Sequence, residues 1–209
     1  LSMAMLDRSA ERREALALLA GHGVPVTAWI VLDEDHGYWL TADNPDQAMA
    51  RYGEIQRWTR RNDLRLAGIG LDIEPPRADA MALMASGRRA LAALVRRRRS
   101  QRALVRAAAR YAELVARARD DGHRVESYQF PVIADERRAR TTLVQRVLGV
   151  VDVQPDREVL MLYRSLLPDP VGAALVDAYG PDADAIAVGI TGGGVGFVLG
   201  AMPGGLLDQ

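Results

Sequence analysis

Apolar runs alternate with amphipathic stretches along the chain. The apolar runs are rich in Val, Ile and Leu and predict β-strands, and glycine, proline and asparagine mark the turns between them. The predicted strands are "VPVTAWIVL", "LAGIGLDIE", "RVESYQFPVI", "EVLMLYRSLL" and "AIAVGITGG", with "LSM" and "VGFVLG" as further candidates.

Helical periodicity fills the stretches between these runs. The first helix is predicted in "DRSAERREALALLAGHG", beginning at Asp7 or Ser9. Asn44, as an N-cap, and Pro45, as the first helical residue, open a second helix. An alanine- and arginine-rich segment at about 78–121 predicts a long helical region, divided near Gly87 or Ser100. Two further helices are predicted in "RARTTLVQRVLG" and "PVGAALVDAYG".

This alternation predicts repeated strand–helix units and a largely parallel sheet. No dinucleotide-binding glycine fingerprint is present, so we favour a (β/α)8 TIM-like barrel over a doubly wound sheet. A complete barrel usually needs roughly 250 residues, and this chain has 209. We therefore expect one domain over residues 1–209 that lacks one or two N-terminal units and the last unit of the barrel.

Two carboxylates close the predicted strand in "LAGIGLDIEPP". Residues two apart in a strand point to the same face, so Asp72 and Glu74 are expected to share one wall at the carboxyl end of this strand. Barrels place their active sites at that end. Pro75 and Pro76 stop the strand because each lacks a backbone donor. Like charges this close raise one pKa, which would keep one carboxyl protonated near neutrality and able to act as an acid.

Aromatic residues lie in or just after the predicted strands. Planar side chains at the mouth of a barrel suit stacking on sugar rings, although the same residue types also fill sheet cores. The candidates for substrate binding are Trp29, Tyr38, Trp39 and Tyr128.

The segment "AGIGLDIE" resembles the D-G-x-D-x-D-x-E strand motif of family 18 glycoside hydrolases, the chitinases and their relatives. "MLYR" is similar to that family's M-x-Y-D on a later strand. The resemblance implies a barrel in which Glu74 is the general acid, Asp72 assists it and Tyr163 supports a substrate-derived intermediate. It implies a function in hydrolysis or recognition of a glycan.

The chain departs from this motif at three carboxylates. Ala67 and Gly70 stand at the first two aspartate positions, and Arg164 replaces the acid of M-x-Y-D. Arg164 therefore joins the candidates for substrate binding. These departures leave open a catalytically silent barrel that binds carbohydrate or another partner.

A further alternative rests on two loops. "LDEDHGYW" carries three acids and a histidine, Asp33 to His36, which either ligate Mg²⁺ or Mn²⁺ or form a solvated turn. "GITGGGVG" offers Gly192, Gly193 and Gly194 as a phosphate cradle, although it lacks the lysine of a P-loop. Together they would suit a metal-dependent lyase, isomerase or cyclase acting on a phosphorylated or diphosphate small molecule.

Composition limits the classes of binding partner that we expect. Lys plus Arg and Asp plus Glu both number 27, so no global field favours nucleic acid or a membrane, and we predict neither partner. The basic run "RRRRSQR" contains no aromatic residue for base stacking and is interpreted as a solvated helix face or a mobile loop. The absence of cysteine excludes thiolate chemistry, and we predict no metal and no cofactor except Mg²⁺ under the alternative above. The N-terminus lacks the order of a secretion signal, which favours a cytoplasmic location.

Overall fold

The structure, a computed structural model, describes residues 1–162 and 171–187. Six parallel strands form one sheet in which each strand pairs with the next along the chain. The strands are β1 (Ser2–Ala4), β2 (Thr27–Ile30), β3 (Gly68–Asp72), β4 (Arg124–Gln129), β5 (Arg157–Met161) and β6 (Ala185–Ala187). The helices are α1 (Ala10–Gly21), α2 (Pro45–Arg61), α3 (Arg77–Ser86), α4 (Arg88–Arg96), α5 (Gln101–Asp120), α6 (Val132–Ala139), α7 (Leu143–Leu148) and α8 (Val171–Tyr179).

The sheet curls into a half-barrel and does not close, so the predicted eight-stranded barrel is wrong. Closure needs the two edge strands to pair, whereas in the described ranges β1 pairs with β2 and β6 pairs with β5. The prediction of an incomplete barrel agrees in part, because the strand order is that of consecutive barrel units. Residues of α1, α2, α5 and α6 pack in one core with the sheet, as expected when right-handed crossovers always advance in the same direction.

The two faces of the sheet carry different residues. Ile69 and Leu71 of β3 lie in the main core with Tyr52 and Tyr111 of the helices, and all four side chains are fully buried. The opposite face, which we call the inner face, carries a smaller apolar cluster. Its members are Tyr128, Val159 and Met161, with the partly buried residues Trp29, Phe130, Ala185 and Ala187 packed against them.

The helical region at 78–121 is divided at both candidate breaks. Gly87 separates α3 from α4 with a positive φ of 38°, a conformation that glycine tolerates without steric cost. Ser100 caps α5 by accepting a hydrogen bond from the Ala103 amide at 3.1 Å. None of the helices within the described ranges is long and apolar enough to cross a membrane.

The strand predicted in "RVESYQFPVI" ends earlier than expected. β4 stops at Gln129, and Val132 already begins α6. Pro131 directly precedes that helix and its fixed φ suits a helix start. The apolar "PVI" therefore packs from a helix, where Ile133 is 1% exposed.

Candidate functional site

The carboxyl end of β3 is held in extended form beyond its last strand residue. The Leu40 amide donates to the Asp72 carbonyl at 3.1 Å, and the Glu74 amide donates to the Leu40 carbonyl at 3.1 Å. Ile73, between the two acids, is 1% exposed in the main core. Side chains alternate along extended backbone, so Asp72 and Glu74 both lie on the inner side, as the sequence predicts.

Burial sets the electrostatics of this carboxylate pair. Asp72 is 5% exposed, and burial raises the pKa of its carboxyl to about 7. Its Oδ1 atom has no hydrogen-bond partner within the described residues. Glu74 is half-buried, and burial together with the charge of Asp72 raises its pKa well above the usual value. The pair therefore retains a proton near neutral pH, with Glu74 the more accessible carboxyl.

Tyr38 lies in the electrostatic field of the same pair. Burial raises the pKa of its hydroxyl, the charges of Asp72 and Glu74 raise it further, and Arg77 lowers it. Its backbone has a φ of 64°, an uncommon left-handed conformation for an aromatic residue. Sequence analysis overlooked Arg77, which binds Glu34 at 2.7 Å; its place directly after Pro76 was the available signal.

Asn44 holds the loop that carries Tyr38. The N-cap position was predicted correctly, but the side chain makes no capping hydrogen bond. Its amide instead donates to the carbonyls of His36 and Trp39 at 2.9 and 2.8 Å, and its Oδ1 accepts from the Thr41 amide at 2.7 Å. Trp39, a predicted substrate-binding residue, is 7% exposed in this loop and contacts the ring of Tyr38 edge-on.

Trp29 and Tyr128 lie together on the inner face. Their ring centroids are 4.6 Å apart at 70°, an edge-to-face contact. They meet over Gly70, because a Cβ built there would lie 2.2 Å from Trp29 Cδ1 and 3.1 Å from Tyr128 Cε2. Because Gly70 has no side chain, both rings fit above it. Gly70 lies two residues before Asp72 and on the same face of β3.

Tyr128 is anchored by its hydroxyl. The hydroxyl lies 3.0 Å from Ser2 Oγ and donates to Glu126 at 2.8 Å, and Arg157 binds the other Glu126 oxygen at 3.2 Å. The Tyr128 ring is 7% exposed. Tyr128 is therefore a buried member of the inner-face cluster. Sequence analysis did not connect Arg157 with this face.

The acidic loop is held by ion pairs. Asp33 contacts Arg51 at 2.6 Å, and Glu34 contacts Arg77 at 2.7 Å. Within the described ranges, no group of three or more His, Asp or Glu side chains is arranged to hold a metal ion. A cavity of about 360 Å³ opens beside α2 and not over Asp72; Asp33, His36, Arg51 and Glu54 are among its lining residues.

Several predicted site residues lie outside the described residues. These are Tyr163, Arg164 and the glycines Gly192, Gly193 and Gly194. The described part of the site therefore consists of Asp72 and Glu74, the neighbouring Tyr38, and the ring pair of Trp29 and Tyr128.

Comparisons with known proteins identify no relative of this chain. No protein-family model, curated protein or solved structure matches the chain.

Proposed function

We propose that the protein acts on a glycan, as a divergent glycoside hydrolase-like enzyme, with Glu74 as general acid and Asp72 as its neighbour. The observation that carries the proposal is the carboxylate pair at the end of β3, in which both pKa values are raised. A general acid works best when its pKa lies near the working pH, and an ordinary exposed carboxyl is far too acidic for that.

The surroundings support a sugar ligand. Glu74 is the more accessible carboxyl, and the inner face beside it carries the rings of Trp29 and Phe130, which are partly buried. Exposed parts of such rings suit stacking on the apolar faces of sugars, and the two acids supply polar contacts. In this mechanism Glu74 gives its proton to the oxygen of the leaving sugar, and Asp72 stabilises the charge that develops beside it.

The resemblance to family 18 hydrolases agrees with these roles and remains part of the proposal. Hydrolysis assisted by the substrate needs one acid and one stabilising carboxylate, which this strand end supplies. A protein nucleophile would require a second carboxylate about 5 Å from the acid. Glu126, a further acid on the inner face, is engaged by Tyr128 and Arg157.

The test is turnover and binding of a panel of β-linked and α-linked oligosaccharides by the wild type and Glu74→Gln. We expect turnover of at least one glycan, lost in Glu74→Gln with binding retained. Glu11→Gln, which changes an exposed glutamate on α1, is the matched control and should keep full activity. Binding without turnover in the wild type would instead identify a carbohydrate-binding protein, and turnover only of a phosphorylated compound with Mg²⁺ would refute the glycan proposal.

A further inference from the structure

The region between Asp79 and Glu113 contains nine arginines and no acidic residue. It includes most of α3, all of α4 and the first half of α5. Because the whole chain is neutral, this region holds a local excess of positive charge that other surfaces must balance.

Three of the nine arginines form ion pairs with acids in the described ranges. Arg97 and Arg99 bind Asp79 and Asp43, and Arg110 binds Asp46 at 2.7 Å. The remaining six are exposed and form no ion pair with an acid in the described part of the chain: Arg88, Arg89, Arg96, Arg98, Arg102 and Arg106. Structural ion pairing therefore accounts for a third of this charge and leaves the rest available.

Aliphatic side chains lie exposed among these arginines. Leu91 and Val95, one turn apart on α4, are 47% and 42% exposed, and Val105 on α5 is 57% exposed. Ala90 and Leu94, which directly precede Leu91 and Val95 in the sequence, are buried on the adjoining side of α4. We name the exposed side of α4 and of the first two turns of α5 the basic face.

We propose that the basic face docks on an anionic lipid bilayer surface. Arginines pair with lipid phosphates, and the exposed leucine and valines enter the boundary between headgroups and acyl chains, as in amphipathic helices that lie on membranes. Aliphatic side chains gain nothing from a nucleic-acid backbone, and the basic face has no aromatic residue to stack on bases. This inference departs from our sequence-based expectations of a solvated helix face and of no membrane partner, and it is independent of the proposed function.

Docking would also orient the molecule. The α3–α4 segment belongs to the connection from β3 to α5. It therefore leaves the sheet at the carboxyl end of β3, where Asp72 and Glu74 lie. A bilayer bound by α4 would therefore lie on the same side of the protein as the carboxylate pair.

The test is flotation of the full chain with phosphatidylcholine vesicles, with and without phosphatidylserine, at low and high salt. We expect binding only with phosphatidylserine, weakened by salt. The triple variant Arg88→Gln, Arg96→Gln, Arg102→Gln should bind about 100-fold more weakly, on the basis of about 1 kcal/mol per arginine. The matched control Arg57→Gln, Arg61→Gln, Arg65→Gln removes three exposed charges elsewhere and should bind like the wild type.

A second pair of variants separates lipid from other polyanions. Leu91→Ser with Val95→Ser keeps the charge and should still weaken vesicle binding at least fivefold. Unchanged binding by that variant, equal losses in both triple variants, or no vesicle binding by the wild type would each overturn the proposal. Binding of duplex DNA or single-stranded RNA as tightly as of vesicles would overturn it as well. Thermal melts of every variant confirm that the exposed substitutions leave the fold intact.

Discussion

The indole of Trp29 occupies the space that any side chain at residue 70 would need. A Cβ on Gly70 would lie 2.2 Å from Trp29 Cδ1, far inside van der Waals contact. Gly70 lies two residues before Asp72 on the inner face, so the ring of Trp29, and no further carboxylate, occupies that place on β3. Burial alone then accounts for the raised pKa of Asp72.

Gly70→Ala should therefore destabilise the protein by about 1–3 kcal/mol, the usual cost of overpacking. The added methyl group forces Trp29 to move, and this movement disturbs the edge-to-face contact between Trp29 and Tyr128. Chemical denaturation measures the change. Gly21→Ala is the control, since a Cβ there meets nothing within 4 Å; equal effects at both sites would refute the close packing described for Gly70.

Asp72 should make stability fall as pH rises. Its pKa is about 7 in the folded state and about 4 in an unfolded chain, so the folded state holds the extra proton between these values. The contribution of Asp72 to stability is therefore fully present below about pH 4 and is lost towards about pH 7, with a slope of up to about 1.4 kcal/mol per pH unit. Glu74 adds to the decline in the same direction.

The substitution Asp72→Asn removes the Asp72 contribution. Denaturation from pH 4 to 8 should show a flatter profile and greater stability at pH 8 than in the wild type. Asp35→Asn, at an exposed position, should leave the profile unchanged. A profile that keeps its full slope in Asp72→Asn would contradict the buried, unpartnered carboxyl.

Asn44→Ala should cost about 3 kcal/mol, because three hydrogen bonds to loop backbone are lost and buried polar groups remain unpaired. Faster amide exchange across residues 36–41 should accompany the loss. Asn62→Ala, which removes a single hydrogen bond to the Trp58 carbonyl, is the comparison and should cost much less. Unaltered exchange in the loop would show that Asn44 does not hold it.

Gly149→Ala should cost more than a left-handed backbone alone explains. Gly149 has a φ of 74°, and a Cβ there would lie 2.4 Å from Arg99 Cζ, which displaces the guanidinium from Asp43. Gly122 also has a positive φ, 87°, but open space around it, so Gly122→Ala reports the backbone cost of about 1–2 kcal/mol. A larger loss of stability in Gly149→Ala than in Gly122→Ala checks the prediction.

Local patterns predicted much of this fold. Apolar runs located β2 to β6, and "LSM" was correctly considered as the strand that became β1. The error lay in counting units, since sheet closure depends on edge pairing that periodicity along the chain does not encode. Likewise "PVI" has the composition of a strand, and only the packing of Ile133 shows that it belongs to a helix.

The candidate site was predictable in part for the same reason. Asp72 and Glu74 lie on the same face because side chains alternate along a strand, and this alternation is a local property of the chain. The left-handed backbone of Tyr38 and the hydrogen bonds from Asn44 depend on tertiary contacts between the loop and the end of β3. The raised pKa values depend on how deeply that strand end is buried, a quantity set by the whole sheet.

The order of the strands has a consequence for how the chain folds. Each strand pairs with the one just before it, so no strand waits for a distant partner to be synthesised. The sheet can grow one unit at a time in the direction of translation, with each helix packing on the outer face beside the newest strand. A ribosome-bound chain ending after β4 should already protect β2 and β3 from proteolysis.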